Sequence, residues 1–308
     1  MAKWFGSLSN IFFFLLFLQI APSLFKDLHK KYAGLLKPKT KVGLIHIKDN
    51  LTNSGAYTRN LRKCFEDPDI KALLIKMECP GGYAGTAQSV YNEIKILKSQ
   101  YPKPVITLVE NIAASGGYYI ASATDYIIAP ASAFVGSIGA YVAFPQIKEF
   151  IESYKIKYDI IKSGSFKASG SPFLDITAEQ RKQLQSLTDS SYKQFVIDVY
   201  SSRPKLAQDS KIWADGKIFT GEQALALHLI DELGSFSNAV NKLKELANID
   251  RSIEWVKPAK STNFIANLFS SDSDDDETDP EASSTLQMLA ETVCKTVENR
   301  YTTPRAQY

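Results

Sequence analysis

Three apolar, strand-like runs alternate with helix-like stretches in the first part of the chain, and this alternation restricts the fold more than any other feature. The runs are KVGLIHIKD at 41–49, KALLIKMECPGG at 71–82 and PVITLVENIA at 104–113. Strands that alternate with helices are joined by right-handed crossovers and form a largely parallel sheet that is covered on both faces. The sequence therefore predicts an α/β fold.

Glycine-rich turns follow two of these strands, at PGG (80–82) and at ASGGYY (114–119). Open α/β sheets bind their ligands at this edge, where the carboxyl ends of the strands meet. Further along, the pattern predicts a long amphipathic helix from Thr177 to about Tyr200. A second helix is predicted over GEQALALHLIDELGSF (221–236), ending at its glycine.

The N-terminal segment has the composition of a membrane anchor. No charged residue occurs from Trp4 to Phe25, and a helix of this length would span about 33 Å, enough for a hydrocarbon core of about 30 Å. We therefore predict an N-terminal transmembrane helix within an anchor at residues 1–30. The alternatives are a cleaved signal peptide and a buried helix. Six lysines follow within residues 26–41, so the positive-inside rule favours a cytoplasmic domain.

The remaining charge divides the chain into a domain and a tail. Residues 259–308 carry 4 Lys/Arg and 9 Asp/Glu, with a dense acidic run from Asp272 to Glu281. Such blocks are typical of solvated linkers. We predict a domain at 41–258, an acidic flexible linker at 259–282 and a C-terminal helix or tail at 283–308. Positive charge in the domain is dispersed, which argues against nucleic acid as a partner.

Cysteine and histidine usage excludes several kinds of site. The three cysteines are too widely separated for a disulfide framework or a zinc site: Cys64, Cys79 and Cys294. We predict no metal and no cofactor. The three histidines are placed after the anchor, inside the first strand and within the second predicted helix: His29, His46 and His228. None of them is suited to be a catalytic base.

Ser115 stands among unusually small residues in NIAASGGYYIASAT (111–124). Either a helix start is packed tightly there, or the backbone leaves room for a molecule to approach the hydroxyl. A serine is a weak nucleophile unless a base takes its proton. Lys167, in SGSFKASGSPF (163–173), is the candidate base because no carboxylate adjoins it. A lysine serves as a base only when it is desolvated. Considered alone, Lys167 is better explained as a surface lysine.

Glycines near Ser115 would leave backbone N–H groups unobstructed. Acyl transfer develops negative charge on the carbonyl oxygen, which backbone N–H donors stabilise. Gly81, Gly82 and Gly116 supply such backbone. The alternative is that these glycines only form tight turns at strand ends.

Five segments together resemble the SppA family of serine peptidases, the signal peptide peptidases. They are PGG at 80, ASGGYY at 114, GSIG at 136, GSFKASGSPF at 164 and IFTGEQALALHLIDELGSF from 218. The resemblance covers about residues 41–245 and implies the crotonase/Clp-protease-like fold of repeated β-β-α units. It implies that Ser115 is the nucleophile and Lys167 the general base. The N–H groups of Gly82 and Gly116 would form the oxyanion hole.

The resemblance also implies partners and a location. Subunits of short members assemble into a membrane-facing dome, in which the serine and lysine of one site come from neighbouring chains. The expected substrates are hydrophobic peptides, remnant signal peptides in particular. The expected location is the inner membrane with an extracytoplasmic domain, in conflict with the positive charge after the anchor. The chain departs from the family pattern at a few positions: Glu78 and Cys79 for Asp-Ser, Ser171 for Glu, and His228 for Gly.

Two other functions remain open. A third, a Clp-type protease, would need a His–Asp pair, and no suitably placed histidine exists. A crotonase-like acyl-CoA enzyme would use the same two amides without a Ser–Lys pair. A catalytically inactive scaffold would bind peptides or membrane partners only.

Overall fold

The computed structural model describes residues 38–258. The predicted anchor at 1–30, the acidic linker at 259–282 and the C-terminal helix at 283–308 lie outside these residues. Within the described range, no helix has both the length and the apolarity needed to cross a membrane.

Eight strands and seven helices form the domain. The strands are β1 (Thr40–Leu51), β2 (Ile70–Gly82), β3 (Val105–Ala114), β4 (Tyr126–Ala129), β5 (Phe134–Gly136), β6 (Ile218–Thr220), β7 (Glu232–Leu233) and β8 (Ile253–Val256). The helices are α1 (Gly55–Glu66), α2 (Ala84–Gln100), α3 (Gly116–Ser122), α4 (Lys148–Ser153), α5 (Ala178–Ser202), α6 (Gly221–Ala226) and α7 (Phe236–Leu246). A 3₁₀ turn covers Ser210–Ile212.

The strands form one largely parallel sheet in the order β6-β5-β3-β2-β1-β8; β4 also pairs with β3, and β7 pairs with β4. Every pairing is parallel except that of β5 with β6. The predicted α/β fold with a parallel sheet is therefore confirmed, and the three apolar runs are its central strands.

Both faces of the central strands are buried, which explains why the runs are apolar throughout. Side chains such as Ile45 and Ile75 pack with helices α1 to α3 on one face. Their neighbours Leu44 and Leu74 point to the other face and pack with α7.

The sheet divides along β3. Residues 106–108 pair with β4, whereas residues 112–114 pair with β5. Ser115 follows directly after Ala114, so β3 stays paired with β5 up to the residue before Ser115.

The helix predicted over 221–236 is wrong in its extent. Helix α6 ends at Ala226, His228 has a positive φ of 60°, and the chain re-enters the sheet as β7. Helix-like apolar spacing continues through this stretch, but hydrogen bonding of β7 to β4 takes precedence. His228 therefore lies after the helix, in the left-handed conformation that glycine adopts most readily at a helix end.

Helix α5 confirms the long predicted helix. Only part of its surface is buried by the rest of the domain. Its buried residues are Gln180 at the start and Phe195 and Val199 near the end. The large apolar side chains of Leu187 and Ile197 are 56% and 50% exposed. Much of the helix therefore has no covering partner within residues 38–258.

Candidate active site

Ser115 occupies a strained turn between β3 and α3. Its φ of 52° and ψ of −121° are values that residues other than glycine rarely adopt. Its N–H donates to the Gly136 carbonyl (2.7 Å), and its carbonyl accepts from the Tyr119 N–H (2.9 Å). The backbone at both sides thus fixes the turn. Although Ser115 precedes a helix, its side chain makes no capping hydrogen bond, so the partly exposed hydroxyl is left available.

The end of β2 approaches this hydroxyl closely. A Cβ added to Gly81 would lie 2.7 Å from Ser115 Cβ and 3.1 Å from its Oγ. A Cβ on Gly82 would lie 2.5 Å from the Leu51 nitrogen. Both glycines also have positive φ values, 122° and 147°. Only glycine therefore allows the Pro-Gly-Gly backbone to run beside Ser115.

The glycines after Ser115 allow α3 to pack tightly. A Cβ on Gly116 would lie 3.0 Å from Leu51 Cδ1, and one on Gly117 would lie 3.1 Å from Cys79 Cβ. Every residue of α3 is buried. The small residues around Ser115 therefore pack a helix start tightly, as one of the two sequence interpretations expects, and they let the Pro-Gly-Gly backbone come close to the hydroxyl.

Lys167 lies on an exposed loop. Its N–H donates to the Gly164 carbonyl (3.2 Å), and a second turn follows from Ser169 to Phe166 (3.0 Å). Between residues 38 and 258 of one chain, no hydrogen bond or ion pair joins the Lys167 amine to Ser115 or to a carboxylate. The structure brings Ser115, Gly82 and Gly116 onto adjoining segments, and within residues 38–258 it shows no hydrogen bond between Lys167 and any of them.

The segment around Lys167 exposes many large apolar side chains. Tyr141 is 89% exposed and Ile161 fully so. Others at least half exposed are Val142, Phe150, Tyr154 and Ile156. Clustered apolar surface of this kind marks an interaction site in most proteins.

Sequence reasoning missed a link between the nucleophile helix α3 and helix α5. The Tyr119 hydroxyl donates to the Asp198 carboxylate, and the ring stacks on Phe195 with centroids 4.3 Å apart. Burial, and then the bond to Asp198, raise the pKa of Tyr119. The tyrosine pair directly after SGG was the available signal.

A second missed feature is a buried ion pair behind the site. Arg203, at the end of α5, donates to both oxygens of Asp231 (2.7 and 2.9 Å) and to the His228 carbonyl (3.1 Å). Asp231 also accepts from the Ile127 N–H (2.8 Å). The pair therefore holds α5, β4 and the turn after α6 together.

The two described cysteines are both buried thiols. Cys79 lies under the Pro-Gly-Gly turn, with its sulfur 3.7 Å from the Gly81 carbonyl oxygen. Burial raises the pKa of both thiols, that of Cys64 to about 11. Within the described part of the chain, no cluster of three His, Cys, Asp or Glu side chains is arranged to hold a metal ion.

Comparison with known proteins gives independent evidence on the family of this chain. Residues 98–250 match the model of Peptidase family S49. A Synechocystis sp. protein named "Putative protease slr0021" is 36% identical over 188 residues, which cover 61% of this chain and 67% of that protein.

Two further relatives carry more explicit names. "Putative signal peptide peptidase SppA" of Enterococcus faecium is 31% identical, over 63% of this chain and 56% of that protein. "Serine protease SPPA, chloroplastic" of Arabidopsis thaliana is 28% identical, over 79% of this chain and 39% of that protein. The chain thus spans from about two fifths to two thirds of the length of these three relatives. The family match and these relatives together show that the chain belongs to peptidase family S49, the SppA family of serine peptidases.

Proposed function

We propose that the protein is a serine endopeptidase that uses a Ser–Lys dyad. Ser115 Oγ attacks the peptide carbonyl carbon while the neutral Lys167 amine takes the hydroxyl proton. The tetrahedral intermediate collapses to an acyl-enzyme as the peptide nitrogen leaves with that proton. Water activated by Lys167 then hydrolyses the ester. The strained turn that leaves the Ser115 hydroxyl uncapped is the observation that carries this proposal.

The N–H groups of Gly82 and Gly116 form the oxyanion hole in this proposal. The two residues lie on the two segments that flank the Ser115 hydroxyl, and a Cβ on Gly81 would lie only 3.1 Å from the Gly116 nitrogen. Each oxyanion donor contributes about 2.7–4 kcal/mol to transition-state stabilisation.

The base comes from a neighbouring copy of the chain. In one chain the Lys167 side chain is exposed to water, whereas a lysine serves as a base only where it is desolvated. A second copy seated on the apolar surface around residues 141–161 would remove Lys167 from water, which favours its neutral form. The uncovered side of α5 supports the same arrangement, a homo-oligomeric dome or ring in which active sites are shared.

The substrates are hydrophobic peptides, with remnant signal peptides as the first class to test. The name of the Enterococcus relative and the apolar residues 4–25 support this assignment. In this proposal the domain has the crotonase/Clp-protease-like fold and is tethered to the inner membrane by its N-terminal segment.

Labelling by a serine-directed acylating probe tests the dyad. We expect the full-length wild type to be labelled, and the Ser115→Ala and Lys167→Ala variants to lose the label. Mixing and reassembling these two variants should restore label on the Lys167→Ala chain, because it then receives a lysine from its neighbour. The matched control is Lys162→Ala, a loop lysine five positions away, which should label like the wild type.

Two results would contradict this proposal. No labelling of the wild type would favour the inactive scaffold. Labelling of Lys167→Ala alone at the wild-type rate would exclude Lys167 as the base.

Localisation is tested separately. The full-length chain should fractionate with membranes, whereas a chain starting at residue 38 should not. Protease added outside spheroplasts should digest an extracytoplasmic domain, and full protection would place it in the cytoplasm as the lysines after the anchor predict.

A further inference from the structure

We propose that Gln180 is a positioning residue for the loop that carries Lys167. The inference rests on the proposed role of Lys167 as the base. Gln180 touches neither the substrate nor a reacting atom, and it acts by fixing the backbone two residues before the lysine.

Gln180 has an additional bond beyond those of an ordinary capping residue. At the start of α5, its Oε1 accepts from the Thr177 N–H (3.1 Å) while its own N–H donates to Thr177 Oγ1 (3.2 Å). This reciprocal pair is a capping box and uses only the acceptor of the amide. The remaining donor, Nε2, reaches the Ser165 carbonyl at 3.2 Å. The residue is only 7% exposed, so these bonds form largely out of water.

The lysine loop has few other ties to regular structure. Its turns are local, such as Lys167 to Gly164 (3.2 Å). The Ser165 carbonyl also accepts from Lys162 (3.2 Å), but that contact stays within the exposed loop. In the stretch 163–169 as described, the Gln180 bond is the side-chain hydrogen bond that joins the loop to a helix.

Helix α5 also connects the Gln180 hydrogen bond to the nucleophile turn. Near its other end, Asp198 accepts from Tyr119 and Phe195 stacks on the Tyr119 ring. Tyr119 is on α3, which begins directly after Ser115. A single helix of 25 residues therefore connects the lysine loop with the nucleophile turn. In a shared site it would aim the Lys167 of one chain at the serine of the next.

The chain provides a matched control in a second capping box. Gln223 Oε1 accepts from the Thr220 N–H (3.0 Å), and its N–H donates to Thr220 Oγ1 (3.2 Å). Its Nε2 makes no hydrogen bond within residues 38–258. Glutamate is itself a standard capping-box residue. Gln180→Glu and Gln223→Glu thus both keep a capping box, but only Gln180→Glu turns a donor into an oxygen facing a carbonyl.

The experiment compares the two variants with the wild type as full-length proteins. We expect Gln180→Glu to lower kcat and the maximal rate of probe acylation about tenfold, with KM and the apparent affinity for the probe unchanged, because misplacing a catalytic group lowers the rate of the chemical step. Gln223→Glu should match the wild type. Thermal unfolding checks that both variants fold. If Gln180→Glu does not, Gln180→Ala is compared with Gln223→Ala, since both retain the threonine cap.

The outcomes separate this inference from the proposed function. If the wild type is not labelled at all, the Ser–Lys mechanism itself is wrong. If the wild type is labelled and Gln180→Glu reacts as fast as Gln223→Glu, the positioning role is wrong. Equal slowing of both variants, or a change confined to KM, would also overturn it.

Discussion

At the scale of single residues, the site depends on backbone that only glycine can form. Gly81 and Ser115 contact each other so closely that a methyl group on one must displace the other. The motif residues could be found from sequence because each has a local reason, such as a positive φ at a strand end. The distance between the two strand ends is not local, so the sequence could only suggest that they meet.

Gly81→Ala should abolish acylation without touching a catalytic group. The added Cβ would lie 2.7 Å from Ser115 Cβ, at a φ of 122° that alanine avoids. We expect at least about a hundredfold loss in probe labelling, since small displacements at a reacting centre cost about that much. Destabilisation should be about 1–3 kcal/mol. Gly85→Ala is the control, because its Cβ would meet nothing within 4 Å. Equal labelling of both variants would contradict the close approach.

The Cys64 thiol should make stability fall at alkaline pH. Burial raises its pKa from 9.0 to about 11. The folded chain therefore keeps a proton that the unfolded chain releases, and this stabilisation is complete below about pH 9 and lost as pH rises toward 11. Urea unfolding should show a loss on the order of 1–2 kcal/mol over this window. The loss should be smaller in Cys64→Ala. If the unfolding free energy of the wild type and of Cys64→Ala fell equally between pH 9 and 11, the thiol would not be the cause.

At the scale of elements, the ion pair between Arg203 and Asp231 is the main polar link behind the site. It joins the end of α5 to the turn after α6, and that turn begins at His228, where the predicted helix was wrong. Apolar spacing could not reveal this break, because Leu229 and Ile230 fit a helix as well as a buried turn. The deciding contacts come from two segments that are distant in the sequence, β4 and the end of α5.

Asp231→Ala should therefore destabilise the fold strongly. It would leave the guanidinium of Arg203, whose side chain is 8% exposed, without its carboxylate. Removing one partner of a buried pair typically costs about 3–5 kcal/mol. Asp69→Ala is the control, since its pair with Lys41 is exposed and should contribute less than about 1 kcal/mol. Urea denaturation measures both, and similar losses would contradict this view of the pair.

At the scale of the whole molecule, the described residues of one chain hold a nucleophile turn and a lysine loop that no hydrogen bond joins. The sequence identified both by resemblance, but no local pattern could say which chain supplies the base. In the proposed shared site that depends on how copies pack, and a sequence pattern does not distinguish the exposed apolar side chains of residues 141–161 from core residues.

Activity should accordingly depend on protein concentration. If sites are shared, dilution over about three orders of magnitude should lower the activity per chain as the assembly dissociates. Light scattering on the same samples should report the loss of mass over the same range. Ile161→Asp should shift both curves to higher concentration, because it places a charge on the fully exposed apolar side chain. Constant activity in a monomeric sample would exclude the shared site.

The pairing of β1 with the edge strand β8 has a mechanical consequence. Strand β1 opens the domain and β8 closes it, and the two pair in parallel from Thr40 with Ile253 to Gly43 with Val256. Tension between the two ends of the domain would pull β1 by its start and β8 by its end, which loads this ladder in shear. All of its hydrogen bonds would then have to rupture together. A domain pulled at its two ends would resist that force with this pair of strands.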